Sequence, residues 1–384
     1  MKTSERHIHI VSFNVPLPAD YGGVIDVFGR IRALHDMGVH IHLHCFTYGR
    51  KPQPLLDELC DEVRYYERCM KWWLLFSFRP FIVASRPALD IIHNIQYDDY
   101  PVLLEGLHCC DLLQHMAHSH HNARPVVVRM HNIEHQYYRL LARSERNPLR
   151  KAYLFIESIK LRAYLPILKQ ASAILSISST DDQYLRQRFP NSCHLMHPSH
   201  LYGDATSEFH PITGRGKYVL YHANLSVAEN EQAALWIINH VHAKQDWRLV
   251  IAGKSPSETL TKCIASQPNV ELVSSPDHDT MRSLVQEAHI CLMITFQATG
   301  LKLKLLHSLF LSRFCIANSL MVAGTDLDEA CLVADSSTEI NRYIQSLFSK
   351  DFTISDIQKR QEVIGKQYDN MYNANLLLNV IASI

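Results

Sequence analysis

The chain has 384 residues, 47% of them apolar and 20% charged, so it can bury a large core, and disorder of the whole chain is excluded. Lys plus Arg total 38 and Asp plus Glu total 38, a balance that argues against a dedicated nucleic-acid binder, which carries a basic excess. No apolar run approaches the ~18–20 residues that cross a bilayer, and the first six residues do not resemble a signal peptide, so a cytoplasmic protein of two domains is expected.

His7 to Phe13 reads as a short buried strand. A turn-rich stretch with Pro16, Pro18, Gly22 and Gly23 follows, and then Val24, Val27, Phe28, Ile31 and Leu34 recur at helical spacing. Gly38 closes that helix and Val39 to Phe46 forms the next strand, which makes a β-loop-α-β unit of the kind that opens a parallel doubly wound sheet. Further strands are expected at Val63 to Tyr66, Pro101 to Glu105, Pro125 to Met130, Ala173 to Ile177 and His194 to His197, and the longest helix at Arg150 to Gln170. Pro198 to Lys217, with its prolines and glycines, reads as a linker. The alternation then restarts with strand Tyr218 to His222, helix Glu229 to Val241 and strand Arg248 to Ala252, and Tyr343 to Ile384 is mostly helical.

The predicted class is α/β: two Rossmann-like domains, 1–205 and 206–365, facing each other across a cleft, with a terminal helix at 366–384 packing back toward the first. Ligands of such sheets bind outside the carboxyl ends of the strands.

The ten cysteines include no Cys-x-x-Cys pair and read as buried thiols of a cytosolic protein. Among the 24 histidines, His40, His42 and His44 alternate along one strand, and His115, His118, His120 and His121 cluster near a helix end. No carboxylate or thiolate falls in register to complete a ligand set, so these read as solvated histidines and no metal site is expected.

Five segments, in order, carry a family resemblance: Pro18 to Gly23; Arg129 to His135; Tyr218 to Ser226 with Glu229 and Asn230; Leu249 to Lys254; and Gly300 to Ser308 with Arg313 to Asn318. Over nearly its whole length the chain resembles glycosyltransferase family 4, the retaining GT-B enzymes, in a form typical of bacterial surface-polysaccharide synthesis. The resemblance implies a metal-independent hexosyltransferase without a cofactor, taking a nucleotide diphosphate sugar as donor and a glycan or lipid-linked molecule as acceptor.

Such an enzyme needs donors aimed at the departing diphosphate. Gly22 and Gly23, as a Gly-Gly turn, allow close backbone approach to a phosphate or an acceptor. Lys302 and Lys304 open a helix after Gly300 among leucines; both are candidates for the diphosphate, with Lys304 the catalytic cation. Lys254, at a strand end, is a further donor-binding candidate. The resemblance places His131 near the reacting carbon of the donor sugar, and His108 and Glu134 are acceptor-side candidates.

The chain also departs from the family pattern. Members carry two glutamates eight positions apart in the second domain; one register puts these slots at Thr299 and His307, the other at Gln297 and Leu305, and neither supplies a glutamate. Thr299 and His307 are the preferred donor-binding pair, because His307 can hydrogen-bond a ribose hydroxyl. The family's arginine after the first strand of that domain falls on Asn224, another donor-binding candidate. These losses motivate an alternative, a non-catalytic GT-B subunit that binds a partner transferase or a glycan.

Between Arg139 and Lys169 there are eight Lys or Arg against two Glu, and Lys71 to Phe76 is aromatic and apolar. One reading is a solvated helix face plus a core helix. The other is peripheral contact with an anionic membrane, where each basic residue contributes about 1 kcal/mol.

Overall fold

The computed structural model describes residues 6–116, 124–145, 147–200, 211–297 and 302–384. The chain forms two compact units: residues up to 203 together with Gln367–Ile384 build unit 1, and most of 204–366 builds unit 2.

Unit 1 is organised by a seven-stranded parallel sheet of β1 (His7–Ser12), β2 (His40–Thr47), β3 (Glu62–Glu67), β4 (Val102–Glu105), β5 (Val126–Arg129), β6 (Ala173–Ser176) and β7 (Cys193–Leu195). The strand order is β3-β2-β1-β4-β5-β6-β7, so the chain reverses direction across the sheet between β1 and β4. Strands covered on both faces must be apolar on both, and Ile8, Ile10, Leu103, Leu104, Val127 and Val128 are all fully buried.

The helix Gly22–Asp36 lays Val27, Ile31 and Leu34 into that core and is stopped by Gly38 at a φ of 70°. Gly22 and Gly23 are therefore its first two residues rather than a turn ahead of it. A Cβ on Gly23 would stand 2.8 Å from the Phe13 ring, so glycine lets the helix begin tight against β1. The helix Pro148–Tyr164 starts with proline in its first turn and is capped by the Asn147 side chain, which accepts from the amides of Leu149 and Arg150. Its continuation, Leu165–Gln170, tightens to a 3-10 helix with Pro166 in its first turn. The terminal helix Asn370–Ala382 puts Ala374, Leu377 and Val380 into the same core.

Two expectations fail here. The last strand is Cys193–Leu195 rather than His194 to His197, because the carbonyls of Met196 and His197 accept from the buried Arg129 guanidinium. The histidines are not solvated as a group: His9 and His44 are buried. His9 Nδ1 lies 2.9 Å from His44 Nε2, His9 Nε2 lies 3.1 Å from Asp98, and His44 Nδ1 lies 2.8 Å from the Tyr66 hydroxyl. Register explains this: His9 pairs with His42 across β1 and β2, which sets the alternating histidines of both strands on one face, where Tyr100 stacks on His7 at 4.3 Å. Of the second histidine cluster, His118, His120 and His121 lie outside the described residues.

Unit 2 repeats the plan with β8 (Val219–His222), β9 (Leu249–Gly253), β10 (Val270–Ser274), β11 (Ile290–Met293), β12 (Phe314–Ala317) and β13 (Leu332–Val333), in the order β10-β9-β8-β11-β12-β13. The switch point lies between β8 and β11. The helix Ala228–Trp236 widens into a π turn, Ile237–Val241, and so reaches the expected end. Two parallel doubly wound sheets are what the pattern of strands and helices predicts, and they agree with the α/β GT-B fold that the resemblance implies.

Candidate functional site

In unit 1 the first helix and the carboxyl ends of β4 and β5 converge on one buried polar network. Asp26 and Arg30 come from the first helix, one turn apart, and Arg30 binds Asp26 at 2.6 Å and Glu105, the last residue of β4, at 2.8 Å. Arg129, the last residue of β5, reaches Asp26 at 3.2 Å. His131 Nε2 sits 2.8 Å from Glu105 and its Nδ1 3.5 Å from Asp26. The amide of Ser199 closes the ring by donating to Asp26 at 2.6 Å. Burial works to raise the Asp26 pKa, but Arg129 and Arg30 hold it well below the ordinary carboxylate range. Two guanidiniums and two carboxylates thus balance in a dry interior, where a lone charge is prohibitive.

Asp26, Glu105 and His131 bring one ligand atom each within 4.8 Å of one another. Each carboxylate is already matched by arginine, so the cluster has no negative charge left over to attract a divalent ion.

Phe13, just past β1, gathers the remaining candidates of this unit. Its ring centroid is 5.2 Å from His108 and 5.4 Å from His131, and its edge meets Gly23. Its carbonyl accepts from Arg86 Nε at 2.9 Å; Arg86 is buried, its other partner is the carbonyl of Ile82, and burial pushes its pKa down to about 10. His108 stands in the 3-10 turn after β4, and burial, then Arg86, drives its pKa well below the ordinary value. Glu134 begins the next helix as a buried residue, and burial raises its carboxyl to about 7.

In unit 2 the candidate side chains hang from the carboxyl end of β8 and the start of the helix Leu303–Leu311. Lys302 is the N-cap residue of that helix, without a capping bond from its own side chain, and Lys304 stands in the first turn. Lys304 Nζ donates to Asn230 at 2.9 Å and lies 5.6 Å from the Tyr221 ring centroid; Lys302 Nζ donates to the Gln297 carbonyl at 2.8 Å. Burial lowers both ammonium pKa values to about 8, and for Lys302 the neighbouring charge of Lys304 adds to it. The nearest carboxylate of the group, Glu229, is occupied: its Oε1 accepts from the Thr295 hydroxyl at 2.6 Å and the Phe296 amide at 2.7 Å.

His307, one turn along, packs edge-on against His222 at 5.4 Å, and His222 Nε2 in turn lies 2.8 Å from Ser308 Oγ. Asn224 organises the turn after β8: its side chain accepts from Ser226 and its carbonyl accepts from Asn230 at 3.0 Å. Lys254 leaves the end of the adjacent β9 as an exposed residue. Gly253 before it is obligatory, since a Cβ there would lie 1.8 Å from the Ala223 carbonyl. Thr299 and Gly300 lie outside the described residues.

The structure thus assembles Asn224, Lys302, Lys304 and His307 around β8, with Lys254 on the neighbouring strand end. It sets Gly23, His108 and His131 around Phe13. Sequence reasoning missed Asp26, Arg30, Glu105 and Arg86, and it named Arg129, Glu229 and Asn230 only as members of matching segments, without a site role. The available signal was charge at the end of an apolar strand, as in Leu103-Leu104-Glu105 and Val127-Val128-Arg129.

Residues 216–350 match the family model described as glycosyl transferases group 1. An uncharacterized 44.6 kDa protein in the cps region of Klebsiella pneumoniae is 25% identical over 360 residues, covering 88% of this chain and 89% of that protein. Among solved structures, the sucrose-phosphate synthase of Thermosynechococcus elongatus superposes with a TM-score of 0.63 at 13% identity, over 99% of this chain and 97% of that one. The Anabaena protein HepE, solved with UDP and glucose, gives 0.64 at 11% identity, over 99% and 100%. The chain has the GT-B fold, and the match to glycosyl transferases group 1 lies within its second unit.

Proposed function

We propose that this protein is a retaining glycosyltransferase that moves a sugar from a nucleotide diphosphate donor to a glycan or lipid-linked acceptor in polysaccharide synthesis. The observation that carries this reading is the Lys302–Lys304 pair: two partly desolvated ammonium groups at a helix start, with Lys304 paired to a neutral amide. Glu229 acts on both ammonium groups from a distance while its Oε1 accepts from Thr295 and Phe296, and a diphosphate supplies a direct anionic partner for Lys304. The similarity to HepE, solved with UDP and glucose, and to a protein of a cps region supports the same class of chemistry.

In this mechanism the lysines and helix amides take up the charge that builds on the leaving diphosphate, which makes the reaction metal-independent. The acceptor hydroxyl attacks from the face the diphosphate leaves, and its proton passes to the departing phosphate oxygen. Asn224, Lys254 and His307 hold the nucleotide portion, and Thr299 and Gly300 are further donor-binding candidates. His131, with both ring nitrogens turned to carboxylates, shapes the sugar pocket rather than moving a proton. Glu134 and His108 line the acceptor side.

The test is release of nucleoside diphosphate from a panel of nucleotide sugars, with and without EDTA. Turnover of at least one donor that persists in EDTA is expected. No turnover with any donor, or turnover abolished by EDTA and restored by a divalent ion, contradicts the reading.

A further inference from the structure

Unit 1 carries an apolar surface that faces outward. The 3-10 turn Trp72–Phe76 has no buried residue. Trp72 is 68% exposed, Phe76 is 78% exposed and Phe78 is fully exposed. The Trp72 ring packs edge-on against Trp73 at 6.1 Å and against Phe76 at 6.0 Å, so the aromatic residues hold one another in place at the surface. A core helix, one of the two readings of this segment, is excluded.

The helix Pro148–Tyr164 is inverted in the same sense. Its inward side includes Glu157, Ser158, Leu161 and Tyr164, while Phe155, Ile156 and Ile159 on the outward side are each about half exposed. Glu157 is the helix's one carboxylate and it is turned inward, where it accepts from the Phe81 amide at 2.6 Å and from Lys160 at 2.9 Å. Lys160 also donates to the Leu75 carbonyl at 2.7 Å, so the aromatic turn is fastened to the flank of this helix. The charges left at the helix surface, Arg150, Lys151 and Arg162, are all positive, and Arg150 lies 4.0 Å from Glu145 just ahead of the helix.

We propose that this combined face is a docking surface for an anionic lipid bilayer. The indoles and Phe76 seat at the boundary between headgroups and acyl chains, where aromatic rings with one polar edge prefer to lie, and the arginines and lysines meet the headgroup phosphates. Charge complementarity selects this occupant: the exposed side of the helix pairs bulky apolar residues with cations alone. The surface shares no residue with the proposed donor site. It rests on the proposed transferase reading only for its purpose, which is to hold the enzyme where a lipid-linked acceptor resides.

The test is flotation of the full chain with vesicles of phosphatidylcholine alone or containing roughly a third phosphatidylglycerol, at low and high salt. Binding to the anionic vesicles that fades at high salt is expected. Trp72→Ser with Phe76→Ser should reduce it tenfold or more, and Lys151→Glu with Arg162→Glu about fivefold or more per charge. These side chains are exposed, so unchanged thermal melts and unchanged nucleotide binding by the variants separate a docking defect from a folding defect or a failure of the transferase reading. No binding to anionic vesicles at low salt, or binding that neither variant reduces, overturns the proposal. A stable dimer in light scattering that Trp72→Ser dissolves, without vesicle binding, assigns the face to a second copy of the chain instead.

Discussion

Lys304 donates to the side-chain oxygen of Asn230 at 2.9 Å, a neutral partner for a largely desolvated cation. The folded protein bears the cost of that charge and recovers it when an anion binds. Burial has lowered the pKa from 10.5 to about 8, so between those values the unfolded chain holds the proton and the folded chain releases it. Stability from this group therefore rises with pH from about 8 to 10.5, and the penalty is fully present at pH 7. Lys304→Met is predicted to stabilise the unliganded protein at pH 7 by on the order of 1–3 kcal/mol, and thermal melts across pH 7 to 10 check this. A lysine held for structural reasons gives the opposite sign.

The histidine ladder predicts acid sensitivity in unit 1. Burial, then the positive charge of His9, lowers the His44 pKa to about 3, and burial also lowers that of His9. Asp98, Arg124, Arg64, His42 and the Tyr66 hydroxyl are the groups facing the pair. As pH falls below 6.5 the unfolded chain takes up protons that the folded ladder refuses, so stability drops toward pH 3, by about 1.4 kcal/mol per pH unit for each such proton. His44→Gln should flatten the fall in melting temperature between pH 6 and 4, since amides can accept and donate in the same positions. An unchanged slope counts against a neutral ladder.

Glu134 titrates in the other sense. Burial raises its carboxyl from 4.5 to about 7, so the folded state binds the extra proton between these values and stability falls as pH rises through that window. Glu134→Gln is expected to stabilise the protein at pH 8 by on the order of 1–3 kcal/mol and to have no effect from this source below pH 4.5. Denaturant titrations at pH 5 and pH 8 give the comparison.

Arg129 is the least replaceable residue of the buried network. It meets Asp26 and the carbonyls of Ser176, Met196 and His197. Arg129→Met leaves Asp26 with one arginine instead of two and takes the guanidinium donor away from three carbonyls, for a loss of about 3–5 kcal/mol. His131→Ala leaves both arginine contacts of Asp26 in place and should cost less. Equal effects in denaturant unfolding contradict this ordering.

Much of the architecture was legible in the sequence because buried parallel strands must be apolar on both faces: Val126 to Val128 and Tyr218 to His222 announce themselves. Lys302 and Lys304 stood out for a related reason, as cations interrupting a run of leucines. What stayed hidden depended on tertiary partners. Asp26 and Arg30, one helical turn apart, look in sequence like any surface ion pair, and only the ends of β4 and β5 reveal them as a buried network. The Trp72–Phe76 turn reads as core by composition, since hydropathy records what a residue prefers and not what is there to cover it.

The most direct test of the donor site is a calorimetric titration of UDP, GDP and ADP into the wild-type chain and into Lys304→Met. The account predicts that at least one nucleoside diphosphate binds the wild type and that the variant binds it at least tenfold more weakly, a loss of about 1.4 kcal/mol or more. Binding that is unchanged in Lys304→Met, or absent for every nucleotide, contradicts it.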